Sequence, residues 1–318
     1  MDTKIAKTST RAPKGTTKWG SERIRDNLEN YSMLIPVLVW IFVFCYIPMY
    51  GVVIAFQNYA PGSPFIGPDV KWVGFKHFTK FISGKYFPRL IRNTLVLNGL
   101  HLLFGFTLPI IFAVLVNEVK NMKFKKTVQT ASYLPYFISN VVVAGMVISF
   151  VDTGGLINQL LIALGGEAQN IRSDPDAFPA LYTVTNVWKG FGFGSILYFS
   201  TLSAIDPALY ESARIDGAGR IRQMWYITLP GLKNVIAIQL IMQVGSILST
   251  NSDLILLLYN SATYETADVI GTYIYRLGIE GGQFSYTSAV GLFMSIIGFI
   301  LTWLANKVSN KVADYGLW

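Results

Sequence analysis

Six long, mostly apolar stretches separated by charged segments constrain this 318-residue chain more than any other feature. They run from about Ser32 to Phe56, Asn93 to Val116, Ala131 to Val151, Leu181 to Ile205, Leu232 to Ser252 and Ser288 to Val308. A helix rises about 1.5 Å per residue and a bilayer's hydrocarbon core is roughly 30 Å thick, so each stretch has the length of a membrane-spanning helix. In lipid every backbone polar group must be satisfied internally, and continuous apolar runs of this length do so as helices. The expected fold class is therefore all-α and integral to a membrane, with six transmembrane helices over residues 29–318. Residues 1–28, rich in Lys, Thr and Ser, form an N-terminal arm with few apolar anchors. The first stretch is too long, and its flanks too rich in Pro and aromatics, for a cleaved signal peptide, so it is expected to stay as a span.

Charge decides orientation. Charged residues make up 14% of the chain and hydrophobic ones 52%, against about 25% charged in ordinary soluble domains. The net charge of +8 lies mostly between the apolar runs, which argues for a membrane topology and against nucleic acid. With the N-terminus inside, seventeen Lys and Arg fall in inner segments and eight in outer ones. Six of those eight, from Lys71 to Arg92, crowd the first outer loop against the rule, whereas the outer loops 152–180 and 259–287 are net acidic.

Several chemistries are excluded. A single cysteine supports neither a disulfide framework nor a cysteine-built zinc site. His77 and His101 are 24 residues apart with no carboxylate spaced as a co-ligand, so no metal centre is expected. Gly84-Lys85 is followed by Tyr86, so there is no phosphate-cradling Gly-Lys-Ser/Thr loop, and any ATP must be bound by a partner. Gly190-Phe-Gly-Phe-Gly194 has the small-x-x-x-small spacing of close helix packing. An ion-coupled secondary transporter is the alternative function, but such carriers show internal repeats and intramembrane acids. Here no repeat is evident and Asp253 stands only at the outer end of the fifth stretch. A membrane scaffold would explain the spans but not the loop between the fourth and fifth.

That inner loop, Asp206 to Gly231, reads as two short helices. Asp206 can cap the first, Pro207 suits its opening position, and Gly217 supplies the left-handed turn that ends it. A second helix from about Arg220 to Thr228 stops where Pro230 begins the next span. Small side chains at Ser212, Ala213, Ala218 and Gly219 let another protein's backbone come close.

Glu211-Ser212-Ala213, Asp216-Gly217-Ala218 and Ile227-Thr228-Leu229-Pro230 together resemble the EAA loop of ABC importer permeases, with Ser212 replacing the middle alanine. Trp72-Val-Gly-Phe, Arg92-Asn-Thr-Leu, Tyr133-Leu-Pro-Tyr-Phe-Ile-Ser, Asp268-Val-Ile-Gly-Thr-Tyr-Ile-Tyr-Arg and the terminal Gly316-Leu-Trp extend the likeness to the permeases for complex oligosaccharides. The resemblance implies a bacterial plasma-membrane subunit, with both termini cytoplasmic, that is itself no enzyme and binds no cofactor. ATP and Mg are used by two partner ATPases, and a second related permease and an extracellular sugar-binding protein complete the heteromer. It also implies that the helices around Glu211, Ser212, Ala213, Asp216, Gly217 and Ala218, closed by Ile227, Leu229 and Pro230, couple to the ATPase. Transport of the oligosaccharide is then by alternating access.

Depth along the spans picks candidates for the sugar path. Trp188 and Lys189 lie roughly 11 to 12 Å below the outer boundary of the fourth span, and Asn251 and Asp253 about 29 to 32 Å along the fifth, in the same outer half. A lysine at that depth is costly unless it faces a wet cavity or a partner, so Lys189 should point into the bundle. Trp188 would offer a stacking face, with Asn140 and Asn251 as hydroxyl partners; the alternative is a Trp188 at the membrane interface with Lys189 snorkelling outward.

Overall fold

The computed structural model describes residues 21–249 and 251–313, with side chains over 31–249 and 251–311. Residues 1–20 of the arm, and the terminal Gly316-Leu-Trp, lie outside the described residues. The chain divides into a unit ending at Val53 and a unit starting at Ile54. In the first unit a helix already begins at Ser21, inside the segment expected as an arm, and runs through Pro36 to Ile41. The apolar stretch Tyr31–Phe56 starts one residue before the first expected span.

Four helical stretches among the described residues are long and apolar enough to cross a membrane: Tyr31–Phe56, Phe87–Asn117, Asn140–Ala163 and Phe284–Lys311. A fifth is added if Arg220–Gly231 and Lys233–Gly245, bent by 58°, form one span. Three of the six expected spans therefore need correction, each for a local reason. The third begins at Asn140 rather than Ala131, because Met122–Tyr133 ends in a tight turn, Leu134–Phe137, built on Pro135. Pro135 has no N–H to continue the ladder, and the Ser139 hydroxyl restarts the helix by accepting from the Val142 N–H at 3.3 Å. The fourth is split at Ser195 into Phe178–Gly194 and Ile196–Ser203. Three glycines precede the split, each costing about 1 kcal/mol in a helix interior relative to alanine.

The fifth stops at Gly245, seven residues short of the expected end. Ser246, Ser249 and Asn251 follow, side chains that compete with the backbone for its hydrogen bonds. The Ser246 hydroxyl accordingly donates to the Met242 carbonyl at 3.1 Å. A freed carbonyl, that of Ile247, accepts from the Asn98 amide at 2.8 Å, so the break is held by a neighbouring helix. Non-helical backbone survives at membrane depth only with such internal partners.

Wide π-turns recur just before prolines: Phe42–Tyr46 before Pro48, His101–Phe106 before Pro109 and Met224–Thr228 before Pro230. A proline ring crowds the carbonyl one turn earlier, and widening the helix there makes room.

Three apolar clusters hold the second unit together. Leu97, Phe178, Tyr182, Leu254 and Val269 join the long helix Phe87–Asn117 to the helices after the fifth stretch. Phe81, Leu90, Tyr273, Tyr286 and Val290 pack the short helix Lys76–Ile82 against Phe284–Ala313. Ile110, Val114, Tyr198, Leu202 and Leu232 form the third, with Ile205, Met224 and Leu229 of the 206–231 loop and its edges against it. The loop is thus bolted to the bundle at both ends.

Candidate functional site

The loop 206–231 is a bracket whose local geometry follows from its sequence. Asp206 caps the helix Pro207–Ile215, its carboxylate accepting from the Ala208 N–H at 2.9 Å. At the other end Gly217 has φ +76°, the left-handed conformation expected of it. Around it the Ala218 N–H reaches back to the Ala213 carbonyl at 2.8 Å and the Gly217 N–H to Arg214 at 3.1 Å, the paired bonds of a Schellman ending. The Gln223 amide donates to the Ala218 carbonyl at 2.7 Å, and the Tyr210 and Thr228 hydroxyls meet at 3.1 Å, tying the second helix to the first. That second helix, Arg220–Gln223, passes through the π-turn containing Ile227 into Leu229–Gly231, where Pro230 lies just before the 58° bend.

Glu211, Ser212, Asp216 and Gly217 are exposed, and Ala213 and Ala218 half-buried. Ile215 and Ile221 are 87% and 71% exposed, an apolar pair at the tip that sequence reasoning did not single out. Their signal is the isoleucine on either side of Gly217, too polar a neighbourhood for a core. Behind the bracket a groove of about 790 Å³ separates it from the segment after Asn117, lined among others by Lys120, Lys125, Glu211, Arg214 and Arg220.

The polar wall of the bundle lies on one stripe of the helix Phe178–Gly194. Tyr182, Asn186, Lys189 and Phe193 stand at i, i+4, i+7 and i+11, and so share a face. Lys189 Nζ donates to Asn140 Oδ1, so two of the expected path residues do meet. Asn186 hydrogen-bonds His101 Nδ1 at 3.1 Å, and both line a polar cavity of about 250 Å³ with Asn98, Tyr182, Gln243 and Asn251. Asn251 reaches this cavity through the unwound segment, so the depth expected from straight helical rise does not apply to it. Asp253, in the first turn of Ser252–Leu258, is exposed and outside that cavity's lining.

Trp188 lies on a different face, in an apolar groove with Phe104, Leu108, Phe112 and Phe191. Consecutive helical residues are about 100° apart, which separates Trp188 from Lys189. The aromatic surface near the polar stripe comes from residues the sequence reading missed. The Tyr136 and Phe193 rings stack with centroids 3.9 Å apart, and Phe137 meets Phe193 edge-on at 6.0 Å. Heptad-like spacing from Tyr182 to Phe193 was the available signal for Phe193. At the glycine run, close packing falls on Gly192, where a side chain would run into the Ser132 backbone, while nothing lies within 4 Å of a Cβ at Gly190.

Residues 105–314 match the binding-protein-dependent transport system inner membrane component family. The chain belongs to this family. It is 43% identical over 290 residues to the polygalacturonan/rhamnogalacturonan transport system permease protein YteP of Bacillus subtilis (strain 168), covering 91% of this chain and 89% of that one. Protein LplB of the same organism is 42% identical over 289 residues, 90% of each chain. A chain in the crystal structure of the bacterial alginate ABC transporter with its alginate pentasaccharide-bound periplasmic protein is similar at a TM-score of 0.85 and 40% identity, over 93% of this chain and 99% of that one. This chain is accordingly a permease subunit of an ABC importer in the bacterial plasma membrane, and ATP hydrolysis belongs to a separate subunit.

Away from the bracket, the permease is fastened by Asp268. Its carboxylate is fully buried and pairs with Arg89 at 3.0 Å and Arg276 at 2.8 Å. The Thr272 hydroxyl donates to it at 2.9 Å. The Asn93 amide donates to the carbonyls of Glu265 and Asp268, and Thr94 Oγ1 accepts from the Ile270 N–H at 3.2 Å. Burial disfavours the Arg276 charge, but Asp268 more than reverses this and holds its guanidinium above the ordinary arginine range. Burial likewise pushes the neighbouring Tyr259 hydroxyl up to about 12, helped by Tyr264. The segments Arg92-Asn-Thr-Leu and Asp268 to Arg276, conspicuous in the sequence, are thereby explained as the two sides of one clasp. Two cations of the crowded first loop are also accounted for: Lys80 sits 4.8 Å from the Tyr286 ring centre, and Arg89 lies 5.0 Å from that of Tyr86 besides its bond to Asp268.

Proposed function

We propose that this permease carries complex oligosaccharides into the cell by alternating access, paired with a second permease and driven by two ATPase subunits that bind the ATP and Mg. An extracellular sugar-binding protein delivers the cargo. The bracket carries this reading: it is capped at Asp206, ended by Gly217 at φ +76°, bolted to the bundle, and yet presents Ile215 and Ile221 uncovered. Ile215 and Ile221, uncovered on either side of Gly217, are the apolar contacts the bracket offers to the ATPase partner. Glu211, Ser212, Ala213, Asp216, Gly217 and Ala218 form the docking helix and its turn, while Ile227, Leu229 and Pro230 pass its movement into Lys233–Gly245. The relatives named for pectin-type polysaccharide and for alginate support oligosaccharide as cargo.

Within the bundle, Asn186 and Asn251 line the polar cavity, and Lys189, on the same helix stripe as Asn186 and bonded to Asn140, continues the cargo wall beside it; Trp188 and Asp253 lie outside that wall. Both termini, and the bracket, are cytoplasmic. Orientation is tested by labelling single cysteines in place of Lys85 and Arg220 with a membrane-impermeant reagent on intact cells, after Cys45 is replaced. Position 85 should label and position 220 should not. The opposite pattern inverts the topology and removes the bracket from the ATPase.

A further inference from the structure

Resting on the reading above that the bracket faces the cytoplasm, we infer that the groove behind it holds the phosphodiester headgroup of an anionic phospholipid of the inner leaflet. Its walls come from separate parts of the chain: Lys120 and Lys125 follow the helix Thr107–Asn117, and Arg214 and Arg220 stand on the bracket. Against these four cations the lining sets two acids, Glu118 and Glu211, so the groove is net basic. Among the described residues none of the four is in an ion pair. Lys125 donates to the neutral Asn117 Oδ1 at 3.4 Å, and the ion pairs are those of Asp268 with Arg89 and Arg276. Like charges gathered around one groove repel, and an anion placed between them turns that cost into attraction.

Position and lining favour a lipid over a soluble anion. The groove lies where two helices of the bundle stop, with their last residues, Asn117 and Ser203, in its wall. Val119, Leu202 and Ile205 add an apolar surface beside the cations, which suits the glycerol and first methylenes of a lipid and gives nothing to a free phosphate. Just beyond Gln223 at the groove's edge, Trp225 and Tyr226 are 64% and 77% exposed. Exposed Trp and Tyr gather at the level of lipid headgroups, and basic pockets beside span ends on the cytoplasmic side take anionic headgroups. Such a headgroup joins the segment after Asn117 to the bracket through its phosphate oxygens.

Lipid retention tests this on the assembled permease–ATPase complex, released from nanodiscs of equal parts phosphatidylglycerol and phosphatidylcholine. The lipids that stay on the intact complex are counted by native mass spectrometry. Wild type should retain phosphatidylglycerol over phosphatidylcholine by about five-fold or more. The double variant Lys120→Gln with Lys125→Gln should lose that preference, whereas Lys120→Arg with Lys125→Arg, and Lys85→Gln in the first outer loop, should keep it. Glycerol phosphate in large excess should displace none of the lipid. Equal retention of the two lipids by wild type, or a preference that survives in the double Gln variant, overturns the site. Displacement by glycerol phosphate makes it a site for soluble anions and overturns the lipid assignment. Cysteine labelling at position 220 separates the two readings. Labelling from outside overturns the topology and the inner leaflet with it, while an absent lipid preference with position 220 protected overturns this inference alone.

Discussion

The clasp around Asp268 and the bracket 206–231 are both short helical segments outside the long helices, yet they are finished in opposite ways. At the clasp, the bonds of Arg89, Asn93 and Thr94 span 172 to 179 positions of the chain, those from Arg276 and Thr272 only eight and four, and the central carboxylate is fully buried with three side-chain donors. At the bracket the hydrogen bonds run over two to eighteen positions, and Ile215 and Ile221 point at nothing. The clasp is complete in the isolated chain. The bracket is tied by its own local hydrogen bonds but leaves Ile215 and Ile221 exposed, as the proposed docking on a separate ATPase requires. Stability and coupling should therefore respond to mutation at different ends of the molecule.

The largest effect is expected at Asp268. Replacing it with Asn leaves two guanidinium groups without their anion, and breaking a buried pair costs about 3 kcal/mol, the low end of the range because both arginines keep partial contact with water. Thermal unfolding of the purified importer should show a clearly lowered midpoint. Adding Arg276→Met to Asp268→Asn should recover part of the loss, since the stranded charge is then removed too. An unshifted midpoint would mean that the clasp is not a lock and that the contrast with the bracket is superficial.

Gly217→Val comes next. A β-branched residue held at φ +76° costs about 1–2 kcal/mol, enough to shift the turn and the docking helix with it. Stability should change little more than that, but sugar-stimulated ATP hydrolysis should fall to the basal rate while the permease pair still assembles. Glu211→Lys, on the exposed side of the same helix, should act likewise with no stability loss. Intact coupling in both variants would reduce the bracket to a connector.

The same contrast explains what could be read from sequence. The bracket was legible because its cap, first-turn proline and terminal glycine lie within a dozen residues, and each has a local conformational meaning. Four of the six expected spans were legible from hydropathy, and a fifth if the bent pair Arg220–Gly231 and Lys233–Gly245 is one span, but the breaks at residues 134–139 and 246–249 were not. An average over twenty apolar residues passes over Pro135, and over a few serines whose effect depends on a partner such as Asn98. Depth placed Lys189 in the outer half of its span because helical rise is nearly constant, but its bond to Asn140, named from sequence only as a partner for sugar hydroxyls, is a tertiary contact that depth does not give. Trp188 was placed beside Lys189 by the same depth and turned away, because depth says nothing of azimuth. The clasp's residues stood out as motif segments, but that Asp268 joins Arg89 is a tertiary fact that no local pattern encodes.

The smallest effect expected is a pH dependence confined to the clasp. Tyr259 has its hydroxyl pushed up to about 12, first by burial and then by the adjacent Tyr264, with Arg276 pulling the other way. The unfolded chain would release this proton near 10, the ordinary tyrosine value. A group whose folded value is raised favours the fold fully below its unfolded value, and that advantage drains away as pH rises from about 10 towards 12. Because the side chain is partly exposed, the contribution is discounted for solvent screening to under about 1 kcal/mol. Tyr259→Phe has no proton to lose, so its unfolding midpoint should fall less than that of wild type between pH 9 and pH 11, while the two proteins differ little at pH 9. Parallel curves for the two proteins would assign the alkaline loss to another group and leave the clasp's strength resting on Asp268 and its two arginines alone.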